Sequence, residues 1–211
     1  MKSITTYITE KMVYTKATAS KYKYHPETKE ELQELLAQLI KERGPEGDFN
    51  DIYTSEITDM SELFCGIEDD DGVVIGNFNG DISQWDVSNV TNMYDMFYEC
   101  ESFNCDISNW NVSKVKDMCS MFENCLKFNQ DISKWDVSNV ENMYSMFKYS
   151  VAFNKPLNKW NVSNVEYMTE MFNGADSFNQ DISKWKVSNL KDNEHMFDRC
   201  PIEEKFKPKF K

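Results

Sequence analysis

Residues 128–152 read FNQDISKWDVSNVENMYSMFKYSVA, and four other stretches of the chain repeat this pattern. Repeats 1 to 5 begin 25 residues apart, at Phe78, Phe103, Phe128, Phe153 and Phe178. A fixed period of this length is typical of repeat proteins, in which a single unit buries too little apolar surface to fold alone. The sequence therefore predicts one elongated domain of stacked repeats, with equivalent positions aligned along the stack.

Each repeat contains a segment that the spacing predicts to be a short helix. In repeat 1, Met93, Met96, Phe97 and Cys100 lie at i, i+3, i+4 and i+7, which is one face of a helix with 3.6 residues per turn. Asn92, just before this face, has a side chain that can accept hydrogen bonds from the N–H groups of a first helical turn.

Before the predicted helix, apolar and polar residues alternate. Trp85 and Val87 alternate with Asp86 and Ser88, a period of two that predicts a short strand with one buried face. The chain's five tryptophans all occupy this one position: Trp85, Trp110, Trp135, Trp160 and Trp185.

The pattern FNxDISxWxVSxVxxMxxMF, seen at residues 128–147, resembles the BspA-like, DUF285-type repeat of bacterial leucine-rich-repeat surface proteins. The resemblance implies an α/β repeat solenoid, a right-handed leucine-rich-repeat-like stack of short parallel strands and short helices. It also implies a role in surface binding or adhesion. Two departures, Lys155-Pro156-Leu157 in repeat 4 and Asn193 in repeat 5, predict irregularities in the stack.

The chain divides into three regions. Residues 1–47 are predicted to form an N-terminal cap whose amphipathic helix, residues 27–43, covers the open end of the stack. Residues 48–202 contain one degenerate repeat and the five full repeats, with an insertion within residues 65–77. Residues 203–211 form a basic tail, and the residues from Ile202 onward are expected to cover the other end. The helix is indicated by a capping box, an apolar stripe and a terminating glycine: Thr28, Glu31, Leu32, Leu35, Leu36, Leu39, Ile40 and Gly44.

Composition narrows the classes of partner. The net charge of −13 argues against nucleic-acid binding and against nonspecific attraction to anionic membranes. No apolar run suggests a signal peptide or a transmembrane helix, so the residues favour the cytoplasm, whereas the resemblance implies the cell surface. The six cysteines lack framework or metal spacing and are expected to be reduced. We expect a monomer without a cofactor.

Candidate chemistry is sparse. Glu68, Asp69, Asp70, Asp71 and Gly72 offer oxygen ligands for calcium, but a solvated acidic turn is the favoured interpretation. Equivalent carboxylates recur through the stack, and hydrogen bonding to turn backbone explains them better than catalysis. These carboxylates are Asp81, Asp106, Asp131 and Asp181.

The surface carries the functional hypothesis. Because helices take more lateral room than strands, the strand side of a solenoid should be concave, and concave faces usually bind partners. We name its ten outward positions the graded row, because they change from acidic to basic along the stack. The graded row comprises Gln84, Asp86, Asn109, Asn111, Lys134, Asp136, Lys159, Asn161, Lys184 and Lys186.

The sequence therefore predicts a non-catalytic binding scaffold for a protein partner or a host surface component. The alternative is a hydrolase acting on an extended polymer such as a glycan, with carboxylates drawn from the recurring aspartates. Exposed tyrosines near the predicted helices form a second candidate patch: Tyr94, Tyr98, Tyr144, Tyr149 and Tyr167.

Overall fold

The structure, a computed structural model, describes residues 21–65 and 77–210. Helix α1 spans Lys29–Arg43, and a short 3₁₀ helix spans Glu204–Phe206. Within the described ranges there is no strand, and isolated parallel bridges connect segments that are distant in sequence. The bridges join Tyr24 to Ile52, Asp48 to Asp81, Asp59 to Asn92, Asn92 to Asp117, Asp117 to Asn142, Asn142 to Tyr167, and Tyr167 to Asp192.

The prediction of an α/β solenoid is therefore wrong, and so are the leucine-rich-repeat-like strands and helices that the resemblance implied. The repeats do stack in register, because bridges join equivalent positions of successive repeats. They stack as columns of turns rather than as strands and helices. The argument for a concave strand side consequently loses its physical basis.

The predicted helix of each repeat is a pair of consecutive turns. In repeat 1, Met96 N donates to Met93 O at 3.3 Å, and Cys100 N donates to Phe97 O at 3.0 Å. The third residue of each turn has a positive φ, 52° at Asp95 and 59° at Glu99, as type II turns require. Two such turns in succession place apolar residues at i, i+3, i+4 and i+7, the same spacing as a helical face.

The predicted strand is also a pair of turns. Trp85 N donates to Ile82 O at 3.1 Å, and Val90 N donates to Val87 O at 2.9 Å. The alternating burial that the sequence predicts is nevertheless present, because Trp85 and Val87 are buried while Asp86 is exposed.

Backbone hydrogen bonds between repeats follow one direction in the segment that we call the turn ladder, residues 93–100 and their equivalents. Asp95 N donates to Cys119 O of the following repeat at 3.0 Å, whereas Tyr94 O accepts from Glu62 N of the preceding one at 2.7 Å. The N–H groups of alternate residues therefore point toward the following repeat, and the intervening carbonyls point toward the preceding repeat.

The interior holds two parallel columns of phenylalanine rings. Phe122 lies 5.7 Å from Phe147 in one column, Phe128 lies 5.8 Å from Phe153 in the other, and Phe122 contacts Phe128 at 4.0 Å between ring centroids. The tryptophans add a third buried column alongside.

The irregularities expected in repeats 4 and 5 are not observed. Leu157 is fully buried, and its carbonyl accepts from Trp160 N at 3.1 Å as isoleucine does elsewhere. At Asn193 the turn is retained, with Met196 N donating to Asn193 O at 3.4 Å.

Helix α1 packs its apolar stripe into the same hydrophobic cluster as the repeats. It begins after Thr28, whose Oγ1 accepts from Glu31 N at 3.2 Å, and ends at Gly44, which has a φ of 78°. The degenerate repeat stacks on repeat 1, with bridges that join residues 33 positions apart. The acidic segment 68–72 and residues 1–20 lie outside the described residues.

Residues from Ile202 onward lie over repeat 5. Ile202 and Pro208 are buried, Phe206 O accepts from Ile182 N at 3.0 Å, and the Phe210 ring lies 6.4 Å from that of Phe197. In the described part of the chain, neither helix is long and apolar enough to cross a membrane.

Candidate interaction surface

All ten side chains of the graded row are exposed. They flank the tryptophan of each repeat, which is at most 5% exposed. The sequence placed these residues correctly on the surface, although they lie on turns and not on strands.

A rigid frame holds the graded row in place. In repeat 3, Trp135 Nε1 donates to Ile107 O of repeat 2 at 3.2 Å. The Asp131 and Asp136 carboxylates accept from the backbone N–H groups of Ser133 and Ser138, at 3.0 and 3.1 Å. These aspartates stabilise the turns on either side of the tryptophan, which fixes the direction of the row's side chains.

An asparagine ladder sets the distance between repeats. The amide oxygen of each asparagine accepts from the backbone N–H of the next one, from Asn79 to Asn104 at 2.8 Å and onward to Asn179. The ladder ends where Glu203 N donates to Asn179 Oδ1 at 3.0 Å. Every repeat therefore presents its pair of row residues in the same register.

Charge changes along this regular frame. The row has Gln84 and Asp86 in repeat 1, and Lys184 and Lys186 in repeat 5. Because the backbone of each repeat is alike, the change reflects side-chain identity alone.

The recurring aspartates are held as ionised turn residues. Hydrogen bonds from the serine two positions later lower the pKa of each of these four carboxyl groups below its ordinary value. The general acid of a glycoside hydrolase needs a raised pKa. The lowered pKa of these aspartates does not fit the general acid, although it suits the ionised carboxylate that such a hydrolase also uses.

Sequence reasoning missed a charged cluster that spans three repeats. Lys148 Nζ lies 2.6 Å from Glu170 Oε2 and 3.8 Å from Glu123 Oε1. The hydrogen bond from Lys148 lowers the pKa of Glu170, whereas burial raises the pKa of Glu123. Opposite charges at equivalent positions of adjacent repeats, Glu123 and Lys148, were the available signal.

The tyrosine patch is only partly exposed. Tyr94, Tyr144 and Tyr167 are 38 to 40% exposed. Tyr98 and Tyr149 are half-buried, and Arg199 lies over the Tyr149 ring at 5.8 Å. The five rings therefore do not present one uniform surface.

The remaining reactive groups lie apart from the row. All six cysteines are free, and burial raises the pKa of Cys100, Cys119 and Cys125. His195 Nδ1 is paired with Asp198 at 2.8 Å. Across residues 21–65 and 77–210, no group of three or more metal-ligating side chains could hold an ion.

Comparison with known proteins gives one similarity. Residues 35–148 and 105–208 both match the family described as "Mycoplasma protein of unknown function, DUF285". No curated protein and no solved structure matches the chain.

Proposed function

Because the chain belongs to the DUF285 family, whose description assigns no activity, we propose from the geometry that it is a non-catalytic binding scaffold. The graded row is its interaction surface, and a protein partner or a host surface component is its ligand. The observation that carries this proposal is the change from acidic to basic side chains along an otherwise constant frame. The resemblance of the repeat to BspA-like surface proteins supports the same class of function.

Physical reasoning favours binding for this row. Packing requires the buried tryptophan and valine but not a particular charge at the exposed positions beside them. An ordered series of charges orients an elongated partner of opposite polarity, because complementary potentials set both register and direction.

The test compares two triple variants that carry the same change in net charge. The row variant has Lys134→Glu, Lys159→Glu and Lys184→Glu, and the control has Lys114→Glu, Lys116→Glu and Lys127→Glu, all at exposed positions outside the row. Affinity capture from host and own-cell lysates should recover a partner with the wild type and the control but not with the row variant. Recovery by all three proteins would remove the row as the interaction surface.

A second candidate function, hydrolysis of an extended polymer such as a glycan, draws on the charged cluster. Glu123 has a raised pKa and Glu170 a lowered one, which is the division between general acid and base that glycoside hydrolases use. Chromogenic glycosides assayed with wild type and Glu123→Gln test it. No turnover by the wild type, or equal turnover by both, would contradict it.

A further inference from the structure

Repeat 5 presents a row of backbone donors that no described residue pairs with. In repeats 1 to 4, the N–H groups of the turn ladder donate to carbonyls of the following repeat, as Phe172 N does to Met196 O at 2.9 Å. The equivalent N–H groups of repeat 5 belong to Asn193, His195, Phe197 and Arg199. The N–H of Asn193 faces the Asp192 carboxyl group, whereas among the described residues the N–H groups of His195, Phe197 and Arg199 have no hydrogen-bond acceptor. We call these last three N–H groups the donor edge.

The donor edge keeps the conformation of the repeats before it. His195 and Arg199 each have a φ of 56°, close to the 50° and 55° of Ser145 and Tyr149 in repeat 3. The turns are closed by the same internal bonds, with Asp198 N donating to His195 O at 3.1 Å. The donor edge therefore already has the backbone conformation that its equivalents have in repeats 1 to 4, where the following repeat packs against them.

Apolar side chains beside the donor edge are also less covered than their equivalents. Val187, Leu190 and Phe197 are half-buried, whereas Val162, Val165 and Phe172 of repeat 4 are at most 1% exposed. The chain after Ile202 covers part of this end through Pro208 and Phe210, and Phe210 itself remains 39% exposed. Apolar surface and unpaired donors thus occur together at the same end.

We propose that the donor edge binds an extended peptide segment of a partner protein, which adds one more ladder to the stack. The segment presents backbone carbonyls at alternate residues and apolar side chains in the spacing i, i+3 and i+4. This is peptide recognition by extension of a hydrogen-bonded edge, in which main-chain bonds supply affinity and side-chain pockets supply specificity. The interfaces between successive repeats are the guide to such a segment, because in each of them the following repeat already packs against an equivalent edge.

A second copy of the chain, stacked head to tail, is a poorer occupant. The carbonyls that it would offer belong to the degenerate repeat, where Ser61 and Leu63 are buried. Helix α1 contacts this end, with Lys29 Nζ donating to Ser61 Oγ at 2.8 Å and Gln33 Nε2 to Glu62 O at 3.4 Å. Head-to-tail stacking would therefore require the helix to move.

A peptide copied from the chain is the sharpest probe. Residues 140–151, VENMYSMFKYSV, contain no cysteine, and their carbonyls at Tyr144, Met146 and Lys148 accept in the structure from the N–H groups of repeat 2 that are equivalent to the donor edge. The matched control peptide replaces Met143, Met146 and Phe147 with serine, which leaves the backbone acceptors in place.

The measurement is hydrogen exchange by NMR on the full chain, with and without peptide. We expect saturable binding with a Kd below about 1 mM, and at least tenfold weaker binding of the control peptide, on the order expected when three apolar contacts are lost. The amides of His195, Phe197 and Arg199 should gain protection, while those of Asp95, Phe97 and Glu99 stay protected throughout. Phe210→Ala should bind the peptide more tightly, because the Phe210 ring lies over Phe197.

Absence of saturable binding, or protection that appears elsewhere on the chain, would overturn the proposal. A double variant of the graded row, Lys134→Glu with Lys159→Glu, should bind the peptide as the wild type does, because these two residues lie in repeats 3 and 4 whereas the donor edge lies in repeat 5. That result separates this site from the interaction surface proposed above, so that either can fail alone.

Discussion

Trp135 and Ile107 are joined across two repeats by a hydrogen bond of 3.2 Å from the indole Nε1 to the carbonyl oxygen. The same bond recurs at Trp85, Trp110, Trp160 and Trp185, each time to a carbonyl of the preceding repeat. In the segment around the tryptophan, side-chain hydrogen bonds connect neighbouring repeats, whereas in the turn ladder backbone hydrogen bonds connect them. The tryptophan column therefore both fills the core and ties the repeats together.

Replacing Trp135 with alanine should lower the free energy of unfolding by about 3–5 kcal/mol, as expected for truncation of a buried aromatic side chain. Trp135→Phe is the control, because it keeps a buried aromatic ring but removes the indole donor and part of the ring's volume. We expect it to cost less than the alanine change, about 1–2 kcal/mol, since Ile107 O still accepts from Trp110 N at 3.1 Å. Urea denaturation measures both, and a cost below about 1 kcal/mol for the alanine variant would contradict the buried position of the ring.

The sequence predicted the burial of residues more accurately than it predicted their backbone conformation. Met93, Met96, Phe97 and Cys100 are all buried as expected, yet they lie on turns. Periodicity could not distinguish the two, because consecutive four-residue turns and a helix share the spacing. The decisive signal would have been residues that favour left-handed backbone, and it is mixed: Asn124 and Gly174 stand at one such position, but Glu99 and Tyr149 stand at the same position in other repeats.

The candidate surface was predictable for a related reason. Exposure of the graded row follows from alternation with buried tryptophan and valine, whatever the backbone is. The charged cluster was not predictable, because Glu170 occupies a different repeat position from Glu123 and Lys148. Only the register between repeats brings their side chains together.

Ser145 combines two unfavourable features that glycine would remove. Its φ is 50°, and its buried hydroxyl has no hydrogen-bond partner among the described residues. Ser145→Gly should therefore stabilise the protein by about 1 kcal/mol, because glycine adopts left-handed backbone without steric cost. Thermal and urea unfolding would measure the gain.

Ser120 is the matched control at the equivalent position of repeat 2. It has a φ of 49°, but its Oγ donates to Glu123 Oε2 at 2.8 Å. Ser120→Gly should gain less than Ser145→Gly, because it also loses this bond to a charged acceptor. An equal or larger gain at Ser120 would show that the unpaired hydroxyl of Ser145 has no energetic consequence.

The charged cluster predicts opposite pH effects at its two carboxylates. The pKa of Glu170 is lowered by Lys148, so its stabilisation is present at neutral pH and is lost as pH falls through that pKa. Glu170→Gln should therefore be less stable than wild type at neutral pH, and the deficit should shrink in acid. Unfolding free energies measured from neutral pH down to about pH 3, below the ordinary pKa of glutamate, would show this convergence.

Glu123 should behave in the opposite sense. Burial raises the pKa of Glu123, so its charged form is disfavoured in the folded state and protonation in mild acid relieves the cost. The free energy of unfolding of Glu123→Gln, relative to that of wild type, should therefore be higher at neutral pH than in mild acid. The same pH dependence for both variants would contradict the assigned environments.

Gly174 is required by both its backbone and its neighbour. Its φ is 68°, and a Cβ there would lie 2.4 Å from Tyr149 Cδ1. Gly174→Ala should cost about 2–4 kcal/mol, the sum of left-handed strain and overpacking. Gly44→Ala tests backbone strain without a clash, because Gly44 has a φ of 78° with nothing within 4 Å of the added Cβ. Its ψ of 165° lies in a region that essentially only glycine adopts, so we expect Gly44→Ala to cost about 1–3 kcal/mol. Adding Tyr149→Ala to Gly174→Ala should recover the steric part of the loss, since only the clash depends on that ring. Additive costs in the double variant, measured by urea denaturation, would show that the ring moves freely aside and that backbone strain alone selects glycine.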